Sequence, residues 1–251
     1  MVKNKLQRFR EMKSFSNVIE PDFDQAFHNK SPLKGKWYTD VFKNDHPIVL
    51  ELGCGKGEYT TGLAQTYPEK NFIGIDIKGA RMWVGAGFAD KLHLTNAVFL
   101  RTRIEFINSF FAENEVSEIW VTFPDPQPKK KRNRKRLTSS NFLNNYSRFL
   151  MPGGRIHLKT DSRFLHEYTR EIVSLNQLPV HCSTRDLYGE KPTGTDDLLY
   201  SIQTHYESLF RAQGVPITYL SFSLKPNVML IEPDDDQQEY LLKTFLPVEK
   251  D

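Results

Sequence analysis

The sequence predicts an α/β fold, a doubly wound and mostly parallel sheet with helices on both faces. From residue 48 onward, short apolar runs alternate with stretches of helical period. A glycine loop at residues 53–57 follows the first apolar run and opens the first helix, and an acid, Asp76, ends the second run. The chain has 251 residues, 39% hydrophobic and 26% charged, enough to bury a core as one domain (1–251) with decorations at its ends. No apolar run approaches membrane-spanning length, so no membrane role is expected.

The elements follow in order. Residues 1–40 read as a basic N-terminal arm carrying Lys3, Lys5, Arg8, Arg10 and Lys13. The arm lacks the apolar centre of a secretory signal, so the protein is expected in the cytoplasm. IVLEL (48–52), NFIGIDI (71–77), AVFLRT (97–102), EIWVTF (118–123) and RIHLKT (155–160) have the length and β-branched content of buried strands. Helices are expected near 57–66, 78–90, 103–113 and 139–150. In the last of these Phe142, Leu143, Tyr146, Phe149 and Leu150 share a face, Ser139 or Ser140 supplies the cap, and Pro152-Gly153-Gly154 supplies the stop.

Beyond Asp161 the pattern predicts a helix, a strand at 179–187, a polar loop with Gly189, Pro192 and Gly194, a helix at 205–213 and a strand at 217–224. Residues 231–251 form an acidic C-terminal extension with Glu232, Asp234, Asp235, Asp236 and Glu239, in which TFLPVE offers apolar groups for packing. Net charge is only +3, but its segregation lets the chain present a cationic face to a polyanion. The two cysteines, Cys54 and Cys182, form no CxxC and no zinc-ligand spacing, so neither a disulfide nor a metal is expected.

In Glu51-Leu52-Gly53-Cys54-Gly55-Lys56-Gly57 the glycine spacing is G-x-G-x-G rather than the dinucleotide pattern G-x-G-x-x-G. Asp76 lies where an acid accepts from ribose hydroxyls. Glu51, two residues before Gly53, would repel a pyrophosphate and attract a cationic amino acid moiety, which favours S-adenosylmethionine over NAD. Cys54 is expected to be a small buried residue rather than a nucleophile.

The fourth predicted strand runs into FPDPQPKKKRNRKRL, residues 123–137. Pro124, Pro126 and Pro128 restrict the backbone around Asp125, and the carboxyl end of that strand brings this acid to the rim shared by Gly53 and Asp76. One carboxylate can accept from both N1–H and the exocyclic amine of guanine, leaving N7 free on the opposite edge. N7 carries its lone pair at neutral pH, so methyl transfer to it needs positioning and no general base. The basic residues from Lys129 to Arg136 are expected to neutralise phosphates.

Together these residues resemble the bacterial tRNA (guanine-N7-)-methyltransferase family, over residues 47–224. The likeness rests on ELGCGKGEY, IGIDIK, FPDPQPKKKRNRKRL, MPGG, KTD (159–161) and THYE (204–207). It implies a Rossmann-like class I methyltransferase acting at guanine 46 in the tRNA variable loop, as a monomer or homodimer with tRNA as its partner. It implies cofactor contacts at Glu51, Asp76 and Asp125, with Asp125 also catalytic, and substrate contacts at Lys129, Asp161, Thr204 and Glu207. The glycines Gly53, Gly55 and Gly57 belong to the same cofactor loop.

Capping is an alternative for three of these residues: Asp161 before the helix at Ser162, and Thr204 with Glu207 as a capping box. The chain departs from the family pattern twice. Gln127 replaces an aromatic, usually Trp, and Arg103 occupies the cofactor-side position where the family carries an acid. An arginine cannot accept from the adenine amino group. The rival readings are an exocyclic-amine methyltransferase, an RNA-binding protein of this fold without catalysis, and an NAD oxidoreductase.

Overall fold

A computed structural model describes residues 5–226 and 228–246, so Lys3 of the arm and the end of TFLPVE lie outside the described residues. Eight strands form one sheet: β1 (Val18–Ile19), β2 (Ile48–Leu52), β3 (Asn71–Asp76), β4 (Ala97–Arg101), β5 (Val116–Thr122), β6 (Leu150–Thr160), β7 (Val180–Thr184) and β8 (Thr218–Ser223). Their spatial order is β1-β4-β3-β2-β5-β6-β8-β7. The pairs from β1 to β6 are parallel, and β8 is antiparallel to both β6 and β7. The chain builds outward from β2 to β4 and then returns to place β5 against the other edge of β2. The topological switch point therefore falls between β2 and β5, where open sheets bind ligands.

Ten α-helices accompany the strands among the described residues. They are α1 (Lys5–Met12), α2 (Phe23–Phe27), α3 (Glu58–Thr66), α4 (Gly79–Lys91), α5 (Ser140–Tyr146), α6 (Arg163–Leu175), α7 (Leu187–Glu190), α8 (Leu198–Ser201), α9 (His205–Ala212) and α10 (Asp235–Phe245). β2 is buried at all five positions, Glu51 included, as a central strand covered on both faces requires. One core holds Phe110, Phe142, Tyr146, Phe164 and Tyr168; the other holds Met12, Tyr59, Met82, Phe99 and Trp120.

Several boundaries differ from the sequence reading. The helix expected at 103–113 is a 3-10 segment, Ile104–Ser109. The helix expected at 139–150 ends at Tyr146, and Leu150 already pairs with Val116, so Pro152-Gly153-Gly154 lies inside β6, where the β5–β6 register shifts. Strand pairing captured the apolar residues that helical period had assigned to the end of α5.

Residues 5–42 are laid onto the domain. Met12 and Trp37 are wholly buried, α1 packs along α4, and the Arg8 guanidinium donates to the Ala80 carbonyl while lying over the Trp83 ring. Lys5, Arg10 and Lys13 remain exposed. At the other end α10 packs on α6.

Candidate active site

The loop from Gly53 to Gly57 closes β2 in a conformation that side chains resist. Gly53, Gly55 and Gly57 have φ of +76°, +55° and +70°. A Cβ on Gly57 would come within 2.5 Å of the Phe99 ring and 3.3 Å of the Gly85 Cα, so this turn packs directly on β4 and α4. The Gly53 and Cys54 amides both donate to the Ile75 carbonyl, at 2.8 and 3.1 Å. The Gly55 amide donates to Asp76 Oδ2 and the Lys78 amide to Asp76 Oδ1, at 3.0 and 2.8 Å. Asp76 thus ties the loop to the end of β3 and keeps lone pairs free for a ligand.

Asp76 and Arg103 line a cavity of about 210 Å³ with Thr102, Ile104, Leu137 and Phe142. Leu137, from the end of the basic stretch, also stands over Gly53. Loop glycines, a strand-end carboxylate and apolar walls fit an adenosyl group. Arg103 is exposed at the start of the 3-10 segment and brings a guanidinium to this cavity rather than an acceptor. A larger cavity, about 1000 Å³, opens among Glu118, Trp120, His157 and Tyr219 toward the amino ends of the strands, the opposite end from the glycine loop.

Glu51 does not lie open on the rim. It is buried, with Oε2 accepting from the Thr60 amide (2.8 Å) and hydroxyl (2.5 Å) and Oε1 from the Thr122 hydroxyl (2.8 Å). Burial outweighs these bonds and pushes its carboxyl up to about 7. Burial likewise raises the Cys54 thiol, as expected of an inert side chain.

Beside it, the register pairs Thr122 with Lys159, so the loop after β5 and the loop after β6 leave the sheet side by side. Asp125 is exposed, and its Oδ1 accepts from the Gln127 amide at 3.0 Å. Phe123 and Gln127 on either side have positive φ, +47° and +46°. Lys129 is exposed, and Lys130–Lys135 form a 3-10 segment with Lys130, Lys131, Arg132, Arg134 and Lys135 in solvent. The basic run is not uniform, however: Arg136 is completely buried and is withdrawn from the set of residues expected to face phosphates.

Asp161 follows β6 and its carboxyl is raised by burial, while the side chain that caps α6 belongs to Ser162. Its capping alternative therefore does not hold. For Thr204 and Glu207 it does: they form the full capping box of α9. Glu207 is buried, accepts from the Tyr188 hydroxyl, and forms a salt bridge at 2.6 Å with the equally buried Lys159. Lys159 also donates to the Tyr59 hydroxyl and the Leu199 carbonyl, and desolvation lowers its ammonium to about 8.

Thr60, Thr122, Lys159 and Arg136 thus hold the site residues without having been assigned that role from sequence. Lys159, in KTD, and Arg136, in the basic run, lay within motifs visible in the sequence, whereas Thr60 and Thr122 emerge only from tertiary contacts.

Comparison with known proteins bears on what this geometry is for. Residues 45–220 match a family described as putative methyltransferase. A curated relative from Porphyromonas gingivalis, named tRNA (guanine-N(7)-)-methyltransferase, is 54% identical over 226 residues, 89% of this chain and 91% of that protein. Relatives of the same name from Bacteroides thetaiotaomicron and Christiangramia forsetii are 50% and 51% identical, over 93% and 89% of this chain and 91% and 99% of theirs. Among solved structures, the 16S rRNA methyltransferase KamB superposes with a TM-score of 0.54 at 15% identity, over 78% of this chain and 96% of that one. The 16S rRNA (adenine(1408)-N(1))-methyltransferase from Catenulisporales acidiphilia gives 0.53 over the same shares, also at 15% identity. At that identity the likeness shows the fold, that of class I methyltransferases.

Proposed function

The chain belongs to the family of tRNA (guanine-N7-)-methyltransferases, and from that membership we propose its reaction: transfer of a methyl group from S-adenosylmethionine to N7 of guanine 46 in the tRNA variable loop. The observation that carries this reading is the pairing of β2 with β5, which sets the Gly53–Gly57 loop beside the Asp125 loop at the switch point of the sheet. When bound at Gly53–Gly57, Asp76 and Glu51, S-adenosylmethionine would supply an electrophilic methyl carbon on a sulfonium, whose sulfur would be left as a neutral thioether.

The protein's own part is positional. The glycine loop accommodates close approach of the methionine moiety, Asp76 accepts from ribose hydroxyls, and buried Glu51 offers negative charge to the ammonium. Arg103 flanks the adenine, whose amino group is left to a backbone acceptor or to a neighbour such as Glu105, which lines the same cavity. Asp125 accepts from the pairing edge of guanine and turns N7 toward the methyl; no proton leaves N7, so no general base is required. Lys129 and the exposed cations after it hold phosphates, and Asp161 faces the acceptor side. Thr204 and Glu207 shape that side by fixing α9, with Glu207 acting through Lys159 and Tyr188. The protein works in the cytoplasm, where tRNA is modified.

Incubation with labelled S-adenosylmethionine and unmodified tRNA, followed by chain cleavage at 7-methylguanine, is expected to yield one cut, at position 46. Asp125→Ala is expected to lower kcat by about a hundredfold while tRNA affinity changes by less than about threefold. Absence of label in tRNA at every salt concentration, with binding intact, overturns the reading.

A further inference from the structure

The last cation of the basic run behaves unlike the rest. Arg136 has no exposed surface, and among the described residues no carboxylate forms a salt bridge with it. Its guanidinium carbon lies 4.2 Å from the centroid of the Tyr168 ring and 4.8 Å from that of Phe164, both from α6. Nε donates to the Gln127 carbonyl at 3.2 Å, and Nη1 reaches Gln238 Oε1 of α10 at 3.5 Å. Gln238 is itself held by the Pro233 carbonyl, at 2.8 Å. Burying a guanidinium without a carboxylate is costly, and aromatic faces with a backbone carbonyl offset that cost only when the geometry is fixed.

What the guanidinium fixes is the turn that carries Asp125. Gln127 sits in the left-handed region at φ +46°, which a residue with a Cβ adopts under constraint. Its amide donates to Asp125 Oδ1 and its carbonyl accepts from Arg136, so one peptide unit on each side of Gln127 is pinned. Pro124, Pro126 and Pro128 have no N–H to offer, which leaves few other backbone donors in this loop.

We infer that Arg136 is a positioning residue for methyl transfer: anchored between α6 and α10, it holds the Gln127 carbonyl and thereby sets the direction of the Asp125 carboxylate. This rests on the reading of Asp125 as the group that orients the acceptor base. It also gives α10 a task, since Gln238 ties the C-terminal helix to the catalytic loop.

Arg136→Lys keeps the charge and removes both the fork and the flat face that stacks. In the full chain it is expected to lower kcat about tenfold, with KM for tRNA, the salt dependence of tRNA binding and the Kd for S-adenosylmethionine each changed less than about twofold. Hydrogen exchange of the Gln127 amide in the ligand-free protein is expected to quicken about tenfold, as the turn loosens.

A raised KM with a shallower salt dependence and unchanged kcat would make Arg136 a phosphate ligand and overturn the proposal. So would an unchanged kcat together with unchanged Gln127 exchange. Should Arg136→Lys fail to fold, Gln238→Ala, which substitutes no residue of the loop though it also removes the acceptor of Asn133, is expected to quicken the same amide and lower kcat about threefold; no change in either overturns it. The exchange measurement needs no turnover, so quickened exchange in Arg136→Lys alongside an unsubstituted protein that methylates no tRNA would refute the proposed reaction and leave the anchoring role in place.

Discussion

If Glu51 faces the cofactor's ammonium as proposed, its buried carboxyl makes cofactor binding depend on pH. Desolvation raises it to about 7 although three donors from Thr60 and Thr122 favour the ionised form. An ammonium placed near it favours the carboxylate, so binding below pH 7 must displace a proton. Affinity for S-adenosylmethionine is therefore expected to be about tenfold weaker at pH 6 than at pH 7.5, and Glu51→Gln is expected to flatten that dependence. Calorimetric titration at the two pH values checks both. The sign reverses for the ligand-free fold: a raised carboxyl contributes stability below its ordinary range that is lost as pH rises through about 7. The residue type was visible in the sequence, but its burial beneath the loop was not, since nothing in ELGCG shows that Thr60 and Thr122 will converge on it.

At the scale of elements, β2 to β5 and the Gly53–Gly57 turn were legible because a short, mostly apolar run bounded by turn residues has few other uses. α9 was legible for a different reason: T-H-Y-E is a capping box, and the structure forms it. What the box cannot show is that its glutamate also neutralises Lys159 of β6, with both side chains fully buried. Glu207→Gln keeps an acceptor for the box and leaves Lys159 without its counter-charge. It is expected to cost about 3 kcal/mol of unfolding free energy, against about 1 kcal/mol for Thr204→Ala, which only removes the cap. Urea unfolding at pH 7 distinguishes these costs. The end of α5 was misread because helical period and strand alternation overlap in short apolar stretches, and pairing with a neighbouring strand decides between them, whereas in 103–113 the expected helix is present only as the 3-10 segment Ile104–Ser109.

For the molecule as a whole, a net charge of +3 conceals a division of labour. The exposed cations cluster on the 3-10 segment after Asp125 and on α1, while the acids gather at α10, where Asp235 pairs with Lys130 at 3.0 Å. Lys129 is exposed, so Lys129→Ala is expected to weaken tRNA binding a few-fold, lower the slope of log affinity against log salt by about one, and leave kcat at saturating tRNA unchanged. Filter binding across a salt series measures it.

By itself the sequence determined the class of fold, the glycine loop after β2, the acid among prolines and the presence of a basic stretch. Each of these is written in residues close together along the chain, through period, turn chemistry and charge. Only the tertiary structure decided which of those charges face outward. Arg136 turns in and Lys129 turns out, Glu51 is covered and Asp125 is not, because solvent access and counter-charges come from strands and helices distant in sequence, and burial sets the energy of a charge.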